Sequence, residues 1–179
     1  MQKSLFQSSL LNMCDRDSNR ETSAFTIVLF QPQIPQNAGN IVRTCKVTGS
    51  KLVLVKPLGF STSNAALKRA GLDYWDGVQV EIIPDLLPWL SQAKDPFYFF
   101  SSHAKAPYTQ VRYSRSSIFI FGSETSGLPP YFHTTWADSF LTLPMIKNSR
   151  CLNLSNAVSI VLYEAWRQHS FSGSNHEIF

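Results

Sequence analysis

The stretch Ile118-Phe119-Ile120-Phe121-Gly122-Ser123-Glu124-Thr125-Ser126-Gly127-Leu128-Pro129-Pro130 joins a short apolar run to a loop rich in glycine, serine and proline. A second loop of similar character follows, with Leu143-Pro144-Met145 and then Ser149-Arg150-Cys151-Leu152-Asn153-Leu154-Ser155-Asn156. So much permissive backbone around one strand is typical of a site where a ligand lies against the main chain. We therefore expect the two loops to border one binding site.

Short apolar runs recur along the whole chain. They lie at Phe25–Phe30, Leu52–Val55, Val78–Ile83, Phe97–Phe100, Ile118–Phe121 and Phe140–Leu143. Because these runs are continuous rather than alternating, they predict strands buried on both faces, as in a parallel sheet covered by helices. Helices are predicted between them at Ala38–Thr48, Ala65–Ala70 and Asp85–Gln92. The fold class is therefore α/β, a mostly parallel sheet with helices on both faces.

The last helix has the clearest pattern in the chain. Apolar residues recur there at the three- and four-residue spacing of one broad helical face: Leu154, Ala157, Val158, Val161, Leu162, Ala165 and Trp166. Asn153 and Ser155 are both candidates for its N-cap.

The composition suits one packed domain with a partner subunit. At 179 residues the chain can bury a sizeable core, and we place the domain at residues 24–170, after an N-terminal arm (1–23) and before a C-terminal tail (171–179). Only 16% of the residues are charged, against roughly a quarter in an average domain. This predicts that some apolar surface is covered by a second subunit. The formal net charge of +4 permits a nucleic acid partner without establishing one.

Cysteine and histidine spacing offers no metal site and no disulfide framework. Cys14, Cys45 and Cys151 are far apart and odd in number, so we expect a cytoplasmic protein without a bound metal. No apolar run approaches the roughly 18 residues of a membrane span, so we expect no membrane partner.

Three common α/β sites are disfavoured. The loop after the first strand, residues 33–40, holds only Gly39, whereas a dinucleotide fold needs a G-x-G-x-x-G turn. Gly122 and Gly127 have P-loop spacing, but Leu128 and Pro129 stand where a Walker loop needs lysine and serine or threonine. A Gly-x-Ser-x-Gly nucleophile elbow is also missing.

Three segments together resemble the motifs of the SPOUT RNA 2′-O-methyltransferases. They are Asn37-x-Gly39-Asn40-Ile41-x-Arg43; Phe121-Gly122-Ser123-Glu124-x-x-Gly127-Leu128-Pro129; and Leu143-Pro144-Met145 with Ser149-Arg150-x-Leu152-Asn153-Leu154-Ser155-Asn156-Ala157. Two further segments, Arg69-Ala70-Gly71-Leu72-Asp73-Tyr74-Trp75 and Val161-Leu162-Tyr163-Glu164-Ala165-Trp166-Arg167-Gln168, are similar to the small TrmL-type branch. That branch methylates cytidine or uridine at position 34 of tRNA.

The resemblance implies a fold, a cofactor and an assembly. The fold carries a C-terminal trefoil knot, and two chains form a homodimer through the C-terminal helix region. S-adenosylmethionine is the implied cofactor, contacted by Phe100, Gly122, Leu143 and Cys151. Gly122 and Gly127 let backbone approach this ligand closely, and Leu143 and Met145 offer soft apolar surface.

The resemblance also implies site residues and a substrate. Arg43 is the implied catalytic residue, either as general base or as a clamp that holds a phosphate and orients the ribose, with Asn153 near the reaction. Glu124 is expected to bond loop amides rather than to take a proton. The candidate substrate-binding residues are Asn37, Asn40, Lys68, Arg69, Ser149 and Arg150.

The expected substrate is the anticodon stem-loop of tRNA, with the wobble nucleotide of leucine tRNAs splayed into the pocket. Two alternatives stay open: a related enzyme that methylates another tRNA or ribosomal RNA position, and an RNA-binding module without activity.

Overall fold

The computed structural model describes residues 25–61 and 77–174. The strands are β1 Thr26–Phe30, β2 Lys51–Val55, β3 Val80–Ile83, β4 Phe97–Phe100, β5 Ala106–Pro107, β6 Ile118–Phe121 and β7 Phe140–Thr142. The helices are α1 Pro35–Thr48, α2 Leu86–Leu90, α3 Pro130–Thr135 and α4 Leu154–Gln168. Short 3₁₀ turns lie at Tyr108–Gln110 and Ala137–Ser139.

All strands of the described residues join one parallel sheet in the order β3-β2-β1-β6-β4-β7-β5. The chain builds outward from β1 through β2 and β3, then crosses to the other half of the sheet for β4 and β5, and returns to insert β6 between β1 and β4. This reversal makes a topological switch point between β1 and β6. In open α/β sheets, ligands bind outside the carboxyl ends of the strands at such a point.

Alternate residues of each strand enter two separate apolar cores, one on each face of the sheet. Ile27 and Leu29 of β1 pack with the buried residues of α1 and α4 on one face. Val28 and Phe30 pack with α2 and α3 on the other face. The continuous apolar runs are explained by this double burial, because both side-chain directions of a strand meet helices.

The two long helices are bounded by residues with known capping preferences, at both ends of α1 and at the start of α4. Pro35 begins α1, where a missing N–H costs nothing, and Gly49 ends it in the left-handed conformation with φ of 68°. Asn153 caps α4 by accepting a hydrogen bond from the Ser155 backbone N–H, which settles the choice between the two predicted caps. The helices contact each other through the hydroxyls of Thr44 and Ser159, 3.2 Å apart.

The predicted fold class is confirmed, and each predicted strand is present within two residues of its expected ends. Helix α1 begins at Pro35 rather than at Ala38, because proline fits the first helical turn. β5 and α3 were not predicted. The predicted helix Ala65–Ala70 and the arm at 1–23 lie outside the described residues, and the implied knot stays a prediction.

The folded body continues past residue 170, where the sequence suggested a tail. The Trp166 indole N–H donates to the Ser172 carbonyl oxygen at 3.0 Å, and the Phe171 ring meets the Trp166 ring at 5.5 Å. Across residues 25–61 and 77–174, no helix is long and apolar enough to cross a membrane.

Candidate active site

A cavity of about 570 Å³ lies at the carboxyl ends of β4, β6 and β7. Its walls come from residues 100–103 after β4, residues 121–128 after β6, and parts of the segment 142–154 between β7 and α4. Ile34 and Asn37 at the start of α1, His133 of α3 and Ala157 of α4 complete the lining. The two loops singled out in the sequence therefore border one cavity, at the switch-point side of the sheet.

Gly122 is required by the loop's own packing. A Cβ atom added there would lie 2.3 Å from the Gly127 carbonyl carbon and 2.6 Å from the Leu128 nitrogen. The loop folds back through paired backbone bonds, Ser123 N–H to the Gly127 oxygen at 3.1 Å and Gly127 N–H to the Ser123 oxygen at 2.9 Å. The missing side chain of Gly122 makes room for Gly127 and Leu128, and this requirement holds in addition to the predicted approach of a ligand. Gly127 itself turns the chain with φ of +65°.

The floor of the cavity is aromatic. The rings of Phe100 and Phe121 stack with centroids 4.7 Å apart, and both residues are buried in neighbouring strands. Leu143 and the partly exposed Met145 add apolar surface from the loop after β7. The cavity therefore offers flat apolar surface on one side and loop backbone on the other, which suits a planar heterocycle with polar edges.

A hydrogen-bond network ties three distant segments of the chain together beside this cavity. The Glu124 carboxylate accepts from the backbone N–H of Gln33 at 2.8 Å, from the N–H of Ile34 at 3.2 Å and from Asn37 Nδ2 at 2.9 Å. The Asn37 side-chain oxygen accepts from Asn153 Nδ2 at 2.9 Å. The Asn153 oxygen in turn caps α4. The network therefore joins the starts of α1 and α4 to the loop after β6.

Glu124 takes the place of the cap that α1 lacks. The N-cap residue Ile34 has no side-chain acceptor, and no acidic residue stands in the first turn of α1. The carboxylate of Glu124 supplies both the acceptor and the negative charge that a helix N-terminus favours. The prediction that Glu124 bonds loop amides is confirmed. Asn37 is 5% exposed, and both polar atoms of its side chain bond within the protein, which favours a positioning role over a substrate contact.

Most of the predicted site residues line the cavity. The lining includes all four predicted cofactor contacts, which are Phe100, Gly122, Leu143 and Cys151. It also includes three other predicted site residues: Asn37, Arg150 and Asn153. Ser149 is exposed on the same loop as Arg150 but does not line the cavity. Lys68 and Arg69 lie outside the described residues.

Arg43 and Asn40 do not reach the cavity of their own chain. Both are exposed on α1, and neither belongs to the lining. Arg43 stands six positions after Asn37, so it lies about 9 Å further along the helix and about 120° around it. Arg43 and Asn153, the two predicted catalytic residues, are therefore not brought together on the cavity wall within one chain.

Two histidines in the lining were missed by the sequence argument. His103 follows β4, and His133 belongs to α3 with its ring stacked on Phe140 at a centroid distance of 3.9 Å. Burial, and then the charge of His103, lower the pKa of His133. No sequence signal joins them, since they are 30 positions apart in unlike elements. In the described part of the chain, no group of three or more His, Cys, Asp or Glu side chains is placed to hold a metal ion.

The fold and the site define an α/β protein whose ligand cavity is built from glycine-containing and proline-containing loops at the switch point of a parallel sheet. Residues 24–163 match the model of the SpoU rRNA Methylase family. The chain belongs to that family.

Relatives match nearly the whole body of the chain. A protein of Geobacillus stearothermophilus is 46% identical over 84% of this chain and 98% of its own length, and its name gives a tRNA (cytidine(34)-2′-O)-methyltransferase activity provisionally. A Methylovorus glucosotrophus protein is 41% identical over 84% of this chain and 99% of its own length. It is named tRNA (cytidine(34)-2′-O)-methyltransferase.

Solved structures agree with this assignment. One, described as giving structural insights into the 2-OH methylation of C/U34 on tRNA, has a TM-score of 0.76 and 37% identity over 84% of this chain and 99% of its own. A SpoU methyltransferase of Streptomyces viridochromogenes in complex with AdoMet has a TM-score of 0.71 at 20% identity, over 86% of this chain and 60% of its own, and shares the fold.

Proposed function

We propose that this protein transfers a methyl group from S-adenosylmethionine to the ribose 2′-hydroxyl of the wobble nucleotide, cytidine or modified uridine at position 34 of tRNA. The observation that carries the proposal is the match to a named tRNA (cytidine(34)-2′-O)-methyltransferase over 99% of that relative's length, at 41% identity. The resemblance of the sequence motifs supports the same activity. Leucine tRNAs are the substrates to test first.

The cavity suits the proposed cofactor. Its volume of about 570 Å³ falls within the range of small-molecule sites, roughly 300–1,000 Å³. The stacked Phe100 and Phe121 rings and the Leu143 side chain provide apolar surface for an adenine, and the backbone of 122–128 provides polar groups. When bound, the cofactor supplies an electrophilic methyl group on a sulfonium. Phe100, Gly122, Leu143 and Cys151 are the proposed contacts.

The chain's own residues have to position the 2′-oxygen and stabilise its developing negative charge. Asn153 and Glu124 hold the two cavity loops in register through Asn37. Arg43 provides the cation of the proposed mechanism. A guanidinium only donates hydrogen bonds, so we assign Arg43 to clamping a phosphate and orienting the ribose rather than to removing the proton.

A homodimer fits the position of Arg43. Ile160 and Tyr163 of α4, with Leu152 in the loop just before it, are between 39% and 43% exposed, and Val47 of α1 is 60% exposed. Val47 stands four positions after Arg43, on the same side of α1. A second copy that covers this surface of α1 and α4 buries the apolar side chains and brings Arg43 to the seam between two chains. We propose that the seam completes the site.

Methyl transfer to defined tRNA tests the function. Purified protein is incubated with labelled S-adenosylmethionine and tRNA from cells that lack the enzyme, and the methylated ribose is mapped. We expect label at nucleotide 34. Arg43→Ala should abolish transfer while the dimer persists, and Lys46→Ala, which removes another exposed cation of α1, should keep it. A folded Arg43→Ala protein with full activity would refute the assigned role.

Another RNA site is the second candidate, because the family's description names ribosomal RNA rather than tRNA. The same mapping separates the two. Label at a different tRNA or ribosomal RNA nucleotide keeps the methyltransferase class and moves the substrate. Absence of both S-adenosylhomocysteine binding and methyl transfer would favour an inactive RNA-binding module, whereas binding without transfer would point to a required prior modification of the tRNA or a missing partner.

A further inference from the structure

Two histidines from different elements share one wall of the cavity. His103 belongs to a tight turn after β4, where Ala104 N–H donates to the Ser101 oxygen at 3.2 Å and Ser101 N–H donates to the Leu141 oxygen at 3.0 Å. The Ser101 hydroxyl also accepts from the His103 N–H at 3.2 Å. Stacking on Phe140 fixes the His133 ring. The backbone of His103 and the ring of His133 are thus both held at the carboxyl ends of the strands.

The charges around this pair leave a place for an anion. His133 is half-buried, and its pKa falls because of that burial and because of the charge of His103. The remaining titratable groups of the lining are Glu124, whose carboxylate is engaged at the start of α1, and Arg150 and Cys151 on the loop before α4. Tyr131 is the titratable neighbour of His133 on α3, and its pKa is raised by burial and then by the charge of Asp85.

The two imidazoles interact electrostatically and repel each other when both carry a proton, and an anion bound by both removes that penalty. His103 is exposed, so this wall lies at the open, water-facing part of the cavity, whereas the stacked Phe100 and Phe121 rings form its apolar part. A ligand with an apolar heterocycle and a charged tail should therefore turn its tail toward the histidines.

We propose that His103 and His133 bind the carboxylate of the methionine portion of the cofactor. The inference rests on the proposed function, because it takes S-adenosylmethionine and its product as the ligands. The carboxylate is the only anionic group of that cofactor, and the imidazolium forms of two histidines can donate charge-assisted hydrogen bonds to it. Because the carboxylate favours the protonated rings, the affinity for the cofactor should be higher at pH 6 than at pH 8.

Titration calorimetry with two ligands isolates the tail. S-adenosylhomocysteine carries the carboxylate, whereas 5′-methylthioadenosine keeps the adenosine and the thioether but lacks the whole amino-acid tail. His133→Phe keeps the ring that stacks on Phe140, and His103→Gln keeps a polar side chain of similar reach. Lys105→Gln is the matched control, because it removes an exposed cation beside the same turn that does not line the cavity.

At pH 6 we expect each histidine variant to bind S-adenosylhomocysteine about tenfold more weakly than the unaltered protein, the size of one charge-assisted bond. Binding of 5′-methylthioadenosine should be unchanged in every variant. The unaltered protein should also take up protons with S-adenosylhomocysteine, measured in buffers of different ionisation enthalpy, and the double variant should not.

Equal weakening of both ligands would overturn the inference, since it would mean that the variants damage the cavity as a whole. Normal binding of S-adenosylhomocysteine by both variants would overturn it as well. If those variants instead lost affinity for an anticodon stem-loop, the anion would be an RNA phosphate. Failure of the unaltered protein to bind either adenosine ligand would refute the proposed function itself, and the inference with it.

Discussion

Replacing Gly122 by alanine should damage the site more than any other single-methyl change in its loops. The added Cβ would lie between 2.3 and 2.7 Å from Gly127 and Leu128 backbone atoms, whereas ordinary contacts begin near 3.4 Å. Those backbone atoms must retreat by about 1 Å, and they belong to the turn closed by the two hydrogen bonds between Ser123 and Gly127. Overpacking costs about 1–3 kcal/mol, and we expect the upper end because no flexible side chain can absorb the clash.

Gly127→Ala provides the matched control. No atom lies within 4 Å of its added Cβ, so the change tests only the left-handed backbone at φ of +65°. That conformation costs a non-glycine residue about 1–2 kcal/mol. We therefore expect the free energy of unfolding to fall further in Gly122→Ala than in Gly127→Ala. The affinity for S-adenosylhomocysteine should fall in the same order, because the displaced backbone lines the cavity.

Urea unfolding at one fixed protein concentration measures the free energy of unfolding, because the stability of the proposed dimer would depend on concentration. With a slope of about 2 kcal/mol per molar urea, a loss of about 3 kcal/mol moves the midpoint by about 1.5 M. Calorimetry with S-adenosylhomocysteine measures the affinity for that ligand. A Gly122→Ala protein that keeps both its midpoint and its affinity would show that the clash is absorbed, and the packing argument would be wrong.

Four further predictions concern the network, the thiols and the proposed dimer. Glu124→Gln should lower the free energy of unfolding by about 1–2 kcal/mol in urea, because an amide cannot accept from all three donors; an unchanged midpoint would contradict this. Asn153→Ala should cost about 1 kcal/mol through the lost cap of α4, with Asn153→Ser retaining part of it. Burial raises the pKa of the Cys45 thiol to about 12, so at pH 8 iodoacetamide should label exposed Cys151 and spare Cys45 until urea is added, as read by peptide mass spectrometry. Tyr163→Glu should convert the dimer to a monomer in analytical ultracentrifugation, and a persisting dimer would move the seam elsewhere.

The strands could be predicted from sequence because burial on both faces leaves a continuous apolar run. Ile118–Phe121 is entirely buried, and its predicted bounds agree with those of β6. β5 could not be found in this way, because it has only two residues, Ala106 and Pro107, and proline is a poor strand signal. Helix α3 begins at the second of two prolines, Pro129 and Pro130, and its six residues are too few to show a helical period.

The cavity loops could be located from sequence, but the roles of their residues could not. The family resemblance predicts Gly122 as a cofactor contact and Asn37 as a substrate contact, and those roles stay predictions. Their actual neighbours, Leu128 and Glu124, are known only once the loops are folded. His103 and His133 gave no signal at all, because only the parallel pairing of β4 with β7 places their elements side by side.

The order of strands explains why the network and the cavity occur together. β6 lies between β1 and β4, so the loop that leaves it can reach the start of α1 on one side through Glu124 and the turn after β4 on the other. Asn153 reaches Asn37 across 116 positions of sequence. A local change in any of the three segments therefore alters the shape of the cavity, even where the changed side chain does not face it. Substitutions of Glu124 and Asn37 should therefore lower activity as substitutions of Arg43 should, although neither residue has to touch the reacting atoms.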